Sequence, residues 1–320
     1  LTARDLLDRG VERAERLANQ PEIQAEMFDV IGQVYGRLGR YDDAREVLKR
    51  SLTIRNQLYE APQPEMMSTK VRIASMLRKS GAYDRAETQF REALHEQKQR
   101  LGPEHPDVAV TQSLLGGVLM VQGDLNAAER TLRDALSIQQ RQPKTDPLDR
   151  AETLNILGLV LRNRNEWKEA ESVLRDALAL RRRELGDRDP KIAMSLNNLA
   201  MVLRQKGDPG AAEPVYREAL AVKRALYEKA HPSTASTLNA LGLALENQEE
   251  YGAAESVLRK ALEMRRETLG PHHPRTAGTL NNLGSVLESQ GRLEEAAVHI
   301  REARALFQSA LGETHPYVAH

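Results

Sequence analysis

The stretch Pro190–Val222 reads PKIAMSLNNLAMVLRQKGDPGAAEPVYREALAV. Pro190 suits a first helical turn, where a missing N–H costs nothing. Ile192, Leu196, Leu199, Val202 and Leu203 then keep the three-and-four spacing of one helix face. Gly207-Asp208-Pro209-Gly210 ends that helix. Ala212, Val215, Tyr216, Ala219, Leu220 and Val222 carry the period into a second one. The stretch predicts two helices joined by a tight turn.

The same pattern returns along the chain. The turn mark recurs at Gly39, Gly81, Gly123, Asn165, Gly207, Glu249 and Gly291, always 42 residues apart. Five residues after each mark stands an alanine: Ala44, Ala86, Ala128, Ala170, Ala212, Ala254 and Ala296. Each unit thus supplies a helix A and a helix B. A fixed period of this size marks stacked repeats, each burying its apolar face on its neighbours. Small residues recur on helix A at Gly32, Ala74, Gly116, Gly158, Ala200, Gly242 and Gly284. Helix B repeats another small series at Ser51, Ala93, Ala135, Ala177, Ala219, Ala261 and Ala303. Larger residues alternate with them: Leu48, Phe90, Leu132, Leu174, Tyr216, Leu258 and Ile300. Large against small at fixed spacing packs helix pairs closely.

This pattern resembles the tetratricopeptide repeat in its long, kinesin-light-chain form. The matching residues include Leu196-Asn197-Asn198-Leu199-Ala200, Leu280-Asn281-Asn282-Leu283-Gly284, Tyr251-Gly252-Ala253-Ala254-Glu255 and Leu269-Gly270-Pro271-His272-His273-Pro274. Pro209, Leu125 and Leu293 depart from it, standing where Tyr41, Tyr83, Trp167 and Tyr251 supply an aromatic elsewhere. The resemblance implies an all-α fold, an α-solenoid forming a right-handed superhelix of about seven helix-turn-helix units. The expected divisions are a capping helix over 1–21, seven units over 22–311 and the start of an eighth, cut short, over 312–320. Thr2 is the expected N-cap of the first helix. Arg304, in a slot otherwise held by leucine, suggests that the seventh unit turns polar as a cap.

A second resemblance covers the opening. Thr2-Ala3-Arg4-Asp5-Leu6-Leu7-Asp8-Arg9-Gly10, Gln20-Pro21-Glu22, Gly32-Gln33-Val34-Tyr35 and Leu38-Gly39 look like the repeat region downstream of the catalytic domain in bacterial eukaryotic-like serine/threonine kinases. It implies a non-catalytic, substrate-recruiting region. The kinase's own motifs are absent from this sequence. The chain opens at Leu1 with no signal peptide, and is read as a piece of something longer.

Composition narrows the function. The 46 Lys and Arg balance 46 Asp and Glu, which argues against a nucleic-acid backbone binder. Aromatics at 4% are too few for base stacking. Without cysteine there is no disulfide, thiolate zinc site or cysteine nucleophile. No apolar run approaches a membrane span. The expectation is a cytoplasmic chain, or the extracytoplasmic part of a membrane-anchored kinase. No enzyme activity, cofactor or metal is expected.

Four histidines precede proline: His105, His231, His273 and His315. A metal ladder would need successive repeats to share an ion, but packed helix axes stand ~8–10 Å apart. Asp146 and Asp189 hold the same slot, so helix capping is the expected role. Arg181-Arg182-Arg183 lies late in a helix B, where a convex position favourable to the helix dipole is preferred over a nucleic-acid patch.

Asn155, Asn197, Asn239 and Asn281 form a 42-residue ladder. In the tetratricopeptide family this slot faces the concave groove, where an amide can donate to and accept from a peptide backbone. The alternative is a hydrogen bond between helices of the stack, the preferred role for Asn198 and Asn282. One turn beyond the ladder lie Leu159, Met201, Leu243 and Ser285, and one further turn gives Arg162, Arg204, Glu246 and Glu288. Arg78 and Lys79 fill equivalent slots upstream. Ordinary solvated charge is the alternative for these polar positions. The groove so inferred is basic, then acidic, over an apolar floor. It suits a protein or peptide ligand with an apolar anchor and an acidic end. Self-association through the C-terminal face is a further expectation.

Overall fold

The structure is a computed structural model, and it describes residues 2–61, 63–142 and 145–311. Fifteen helices and no strands occur among the described residues. The chain divides into two compact units, Leu1–Arg164 and Asn165–His320. The first holds α1 (Ala3–Glu15), α2 (Pro21–Arg37), α3 (Tyr41–Leu58), α4 (Pro64–Lys79), α5 (Tyr83–Leu101), α6 (Pro106–Gln122), α7 (Leu125–Arg141) and α8 (Pro147–Asn163). The second holds α9 (Trp167–Leu185), α10 (Pro190–Gln205), α11 (Pro209–Leu226), α12 (Pro232–Glu246), α13 (Tyr251–Leu269), α14 (Pro274–Ser289) and α15 (Leu293–Leu311). Within each unit successive helices pack as neighbours, and the even-numbered helices (the A helices of the repeat) also touch one another: α2 with α4, α4 with α6, α6 with α8, α10 with α12 and α12 with α14.

The turn marks are left-handed residues. Gly39, Gly81, Gly123, Gly207 and Gly291 have φ between 77° and 93°, and Asn165 and Glu249 take 63° and 62° in the same slot. A glycine occupies this backbone region without penalty, whereas glutamate tolerates it poorly.

The helix starts follow the predicted capping chemistry. Nδ1 of His105, His231 and His273 accepts the backbone N–H of Asp107, Ser233 and Arg275 at 3.2, 3.2 and 3.0 Å. The Oδ1 atoms of Asp146 and Asp189 do the same for Leu148 and Lys191 at 2.8 and 2.7 Å. His315 lies outside the described residues, as does the expected eighth unit. Thr2 caps α1 reciprocally with Asp5.

Packing follows the large–small alternation. A Cβ built on Gly32, Gly116 or Gly242 would lie 2.6 Å from Cγ of Leu48, Leu132 or Leu258, and one on Gly284 would lie 2.6 Å from Cγ1 of Ile300. Leu48, Leu132 and Leu258 are fully buried, as are Ala44, Ala128 and Ala254 beside them in sequence. The glycines therefore set the approach of each helix B to its helix A.

Candidate functional site: the helix-A surface and its buried ladder

In the second unit, Asn197, Met201 and Arg204 stand at i, i+4 and i+7 on α10. Asn239, Leu243 and Glu246 repeat the pattern on α12, and Asn281, Ser285 and Glu288 on α14. Met201 and Leu243 are part-exposed, whereas Leu199, Leu203, Leu241 and Leu245 around them are buried. On α10 and α12 an apolar residue thus stays at the surface one turn from the amide, and on α14 Ser285 takes that slot. Arg204 Nη1 donates to Asn247 Oδ1 at 3.3 Å, and Ser285 Oγ donates to Glu246 Oε1 at 2.7 Å, so the polar ends of the row also link helices.

The amides of the ladder are engaged between helices. Asn197 Oδ1 accepts Thr237 Oγ1 at 3.0 Å, and Asn239 Oδ1 accepts Asn282 Nδ2 at 3.1 Å. Asn282 thus makes the helix-to-helix bond expected of it. Asn281 is exposed, and Asn155 is 3% exposed. Its burial leaves Asn155 without the open face that ligand contact needs. In the first unit Leu159, Arg162 and Arg78 are part-exposed and Lys79 is exposed. Arg162 donates to Asn163 Oδ1.

A second 42-residue series lies beneath this surface: Arg55, Gln97, Gln139, Arg181, Lys223 and Arg265 late in helix B. It meets a hydroxyl series on the next helix A. Arg55 Nη1 donates to Thr69 Oγ1 at 2.9 Å, Gln139 Nε2 to Thr153 Oγ1 at 3.0 Å, Arg181 Nη1 to Ser195 Oγ at 2.6 Å and Lys223 Nζ to Thr237 Oγ1 at 2.6 Å. Arg265 donates to Thr279 Oγ1. Arg181 is 1% exposed, which corrects the convex, dipole-facing placement expected for it. Helix periodicity turns Arg181 into the junction while Arg183 stays outside, paired with Glu184 at 2.7 Å. The residue-type signal was in the sequence, because a polar residue every 42 positions is as regular as the alanines.

Hydroxyl and amide join the two series into one network. Thr237 Oγ1 accepts from Lys223 and donates to Asn197. In the first unit Thr69 Oγ1 likewise accepts from Arg55 and donates to Asp29 Oδ1 at 2.8 Å, and Asp29 holds the slot of the Asn ladder. Lys223 makes no ion pair among the described residues, and burial pushes its ammonium down to about 8. Burial also holds Arg265 down at about 10.

Among the described residues no cluster of three metal-binding side chains occurs, and no helix is long and apolar enough to cross a membrane. Residues 65–141, 149–225, 211–267 and 233–309 match the tetratricopeptide repeat, and 25–65 match a second form of it.

The chain belongs to the tetratricopeptide repeat family.

Solved tetratricopeptide and related structures share the fold. The apo form of RapI is 16% identical, with 90% of this chain and 77% of that one covered and a TM-score of 0.67. BtubC (BKLC) from P. vanneervenii is 23% identical, covering 78% of this chain and 94% of that one at a TM-score of 0.59. A putative kinesin light chain repeat protein from Podosopora anserina is 19% identical, covering 65% and 98% at 0.57. No curated protein sequence matches the chain. The tetratricopeptide repeat is a protein-interaction module, and the matched residues form such a domain.

Proposed function

We propose that the tetratricopeptide helix-A surface binds an extended, peptide-like segment of a partner protein. The observation that carries this reading is the pair Met201 and Leu243. Both stay part-exposed on adjacent A helices, while every leucine flanking them in the core stripe is buried. An apolar anchor of the ligand would cover them, excluding water from two side chains at roughly 25 cal/mol per Å². Arg204 stands one turn further and supplies the positive end that an acidic residue of the ligand would meet. Asn197, Asn239 and Asn281 line the same row. The oxygens of Asn197 and Asn239 are already used between helices, so their part is to hold the row in register and to offer N–H donors. In the first unit Leu159, Arg162, Arg78 and Lys79 belong to a row of their own on its A helices, which we propose for the same role.

The test is a peptide-display selection on this chain, followed by affinity measurement with Met201→Glu and Arg204→Glu. Each should weaken the selected peptide about tenfold or more, with the far-ultraviolet spectrum unchanged. Full affinity in both folded variants would place the ligand elsewhere.

A further inference from the structure

Helix B breaks its own charge rule in the first repeat. In five successive repeats, from Glu87–Arg91 to Glu255–Arg259, a glutamate pairs with the arginine four residues on, at 2.7–2.9 Å. The same glutamate takes a second donor from the end of the next helix A, as Glu171 does from Lys206 at 2.8 Å. One step of 42 before Glu87 and Arg91 stand Arg45 and Lys49, two cations one turn apart on α3. Ser80 holds the slot of Lys206, and its hydroxyl donates to Leu77 O at 3.0 Å instead. On α5 stands Arg85, where the later repeats place Ala127, Glu169, Ala211, Ala253 and Glu295. Like charges at this spacing repel where the other repeats attract, and nothing in the chain's own packing requires the reversal.

The exchanged residues meet in one place. Arg45 and Lys49 of α3 and Arg85, Thr88 and Gln89 of α5 line a cavity of about 290 Å³, floored by Ile73 and Leu77 of α4. No carboxylate lines it. Among the described residues Lys49 and Arg85 make no ion pair, and Arg45 has only Asp42, at 3.0 Å, through a carboxylate that is 83% exposed. An exposed pair of that kind contributes little and yields to a stronger anion. Nearby carboxylates are engaged elsewhere, Glu46 with Arg50 and Glu87 with Arg91. None of the lining residues belongs to the helix-A row, so the furrow is a separate site.

We propose that this furrow binds the phosphate monoester of a phosphorylated serine or threonine in a partner protein. A dianion matches two guanidinium groups and an ammonium, where a single carboxylate would leave positive charge uncompensated. It takes the place of the glutamate that the later repeats supply from within. The overall balance of 46 cations and 46 anions makes this a local patch, unsuited to a long polyanion. Ile73 and Leu77 are 4% and 3% exposed, too covered to receive an aromatic ring, which selects phosphoserine or phosphothreonine over phosphotyrosine. The chain is a protein-interaction domain, so the phosphate is assigned to a protein side chain.

The test uses the full chain and a fluorescein-labelled Gly-Ala-phosphoserine-Ala-Gly peptide at low salt, read by fluorescence anisotropy, with inorganic phosphate as competitor. Saturable binding is expected, and it should weaken as pH falls through about 6, where the monoester loses its second charge. The unphosphorylated peptide should bind at least tenfold more weakly. Arg45→Glu restores with Lys49 the attractive pair of the other repeats. It should weaken the phosphopeptide at least tenfold while the thermal unfolding midpoint stays or rises. Arg85→Ala, the residue of three later repeats, should weaken it as well. Absence of saturable binding, or full affinity in the folded Arg45→Glu chain, would overturn the site. Equal affinity for inorganic phosphate and the phosphopeptide would make the ligand a free anion and overturn the assignment to a protein.

Discussion

Lys223 Nζ donates to Thr237 Oγ1 at 2.6 Å, which joins α11 to α12 through a buried ammonium. The hydroxyl passes the contact on to Asn197, so one lysine supports three helices. Its partners are oxygens of neutral groups, Thr237 Oγ1 and the Ser233 carbonyl, and they compensate desolvation less fully than a carboxylate would.

Lys223 should make stability rise with pH. Its folded value of about 8 lies below the ordinary 10.5, so between these the unfolded chain binds more protons than the folded one. Stability contributed by this group therefore increases from about pH 8 to 10.5 and is flat below. The shift corresponds to roughly 3 kcal/mol at most. Urea unfolding of the native chain and of Lys223→Met across this range should show the native chain gaining on the variant. A constant difference between the two would contradict the burial argument.

Two glycines should respond oppositely to alanine. Gly242→Ala forces its Cβ to within 2.6 Å of Leu258 Cγ, the branch point of a buried side chain. Overpacking should cost ~1–3 kcal/mol, outweighing the gain in helix propensity. Gly278→Ala in α14 meets nothing within 4 Å and should stabilise by ~0.5–1 kcal/mol. Chemical denaturation of both variants gives the signs. Ala170→Leu, at a fully buried position of the same alanine series, should cost ~1–3 kcal/mol as well.

Removing the ladder amides should cost stability as well as any ligand contact. Asn197→Ala leaves Thr237 bonded to its own helix carbonyl at Ser233, and Asn239→Ala leaves Asn282 without that acceptor. The double variant should lose ~1–3 kcal/mol while staying folded. Thermal unfolding measures the stability. Weakened binding of the selected peptide in excess of the unfolded fraction would locate the amides in the ligand row.

The proline-preceding histidines should be replaceable by aspartate. Asp146 and Asp189 already cap α8 and α10 from the slot that His273 holds at α14. His273→Asp should keep stability within ~0.5 kcal/mol, and His273→Leu should lose ~1 kcal/mol. Added zinc should leave the midpoint of all three chains unchanged.

The 42-residue period determined the family, the helix pairs, their caps and their turns. Each of these rests on interactions within a few residues or between adjacent helices, and such interactions leave a direct mark in residue type. Gly242 against Leu258 and His273 under α14 were legible for that reason. The tertiary structure decided where the polar residues of the period go. Arg181 and Lys223 look like surface cations in a helix B, yet the next repeat closes over both. The oxygens of Asn197 and Asn239 are drawn to neighbouring A helices. Facing depends on which element packs opposite, and no spacing within one repeat encodes that.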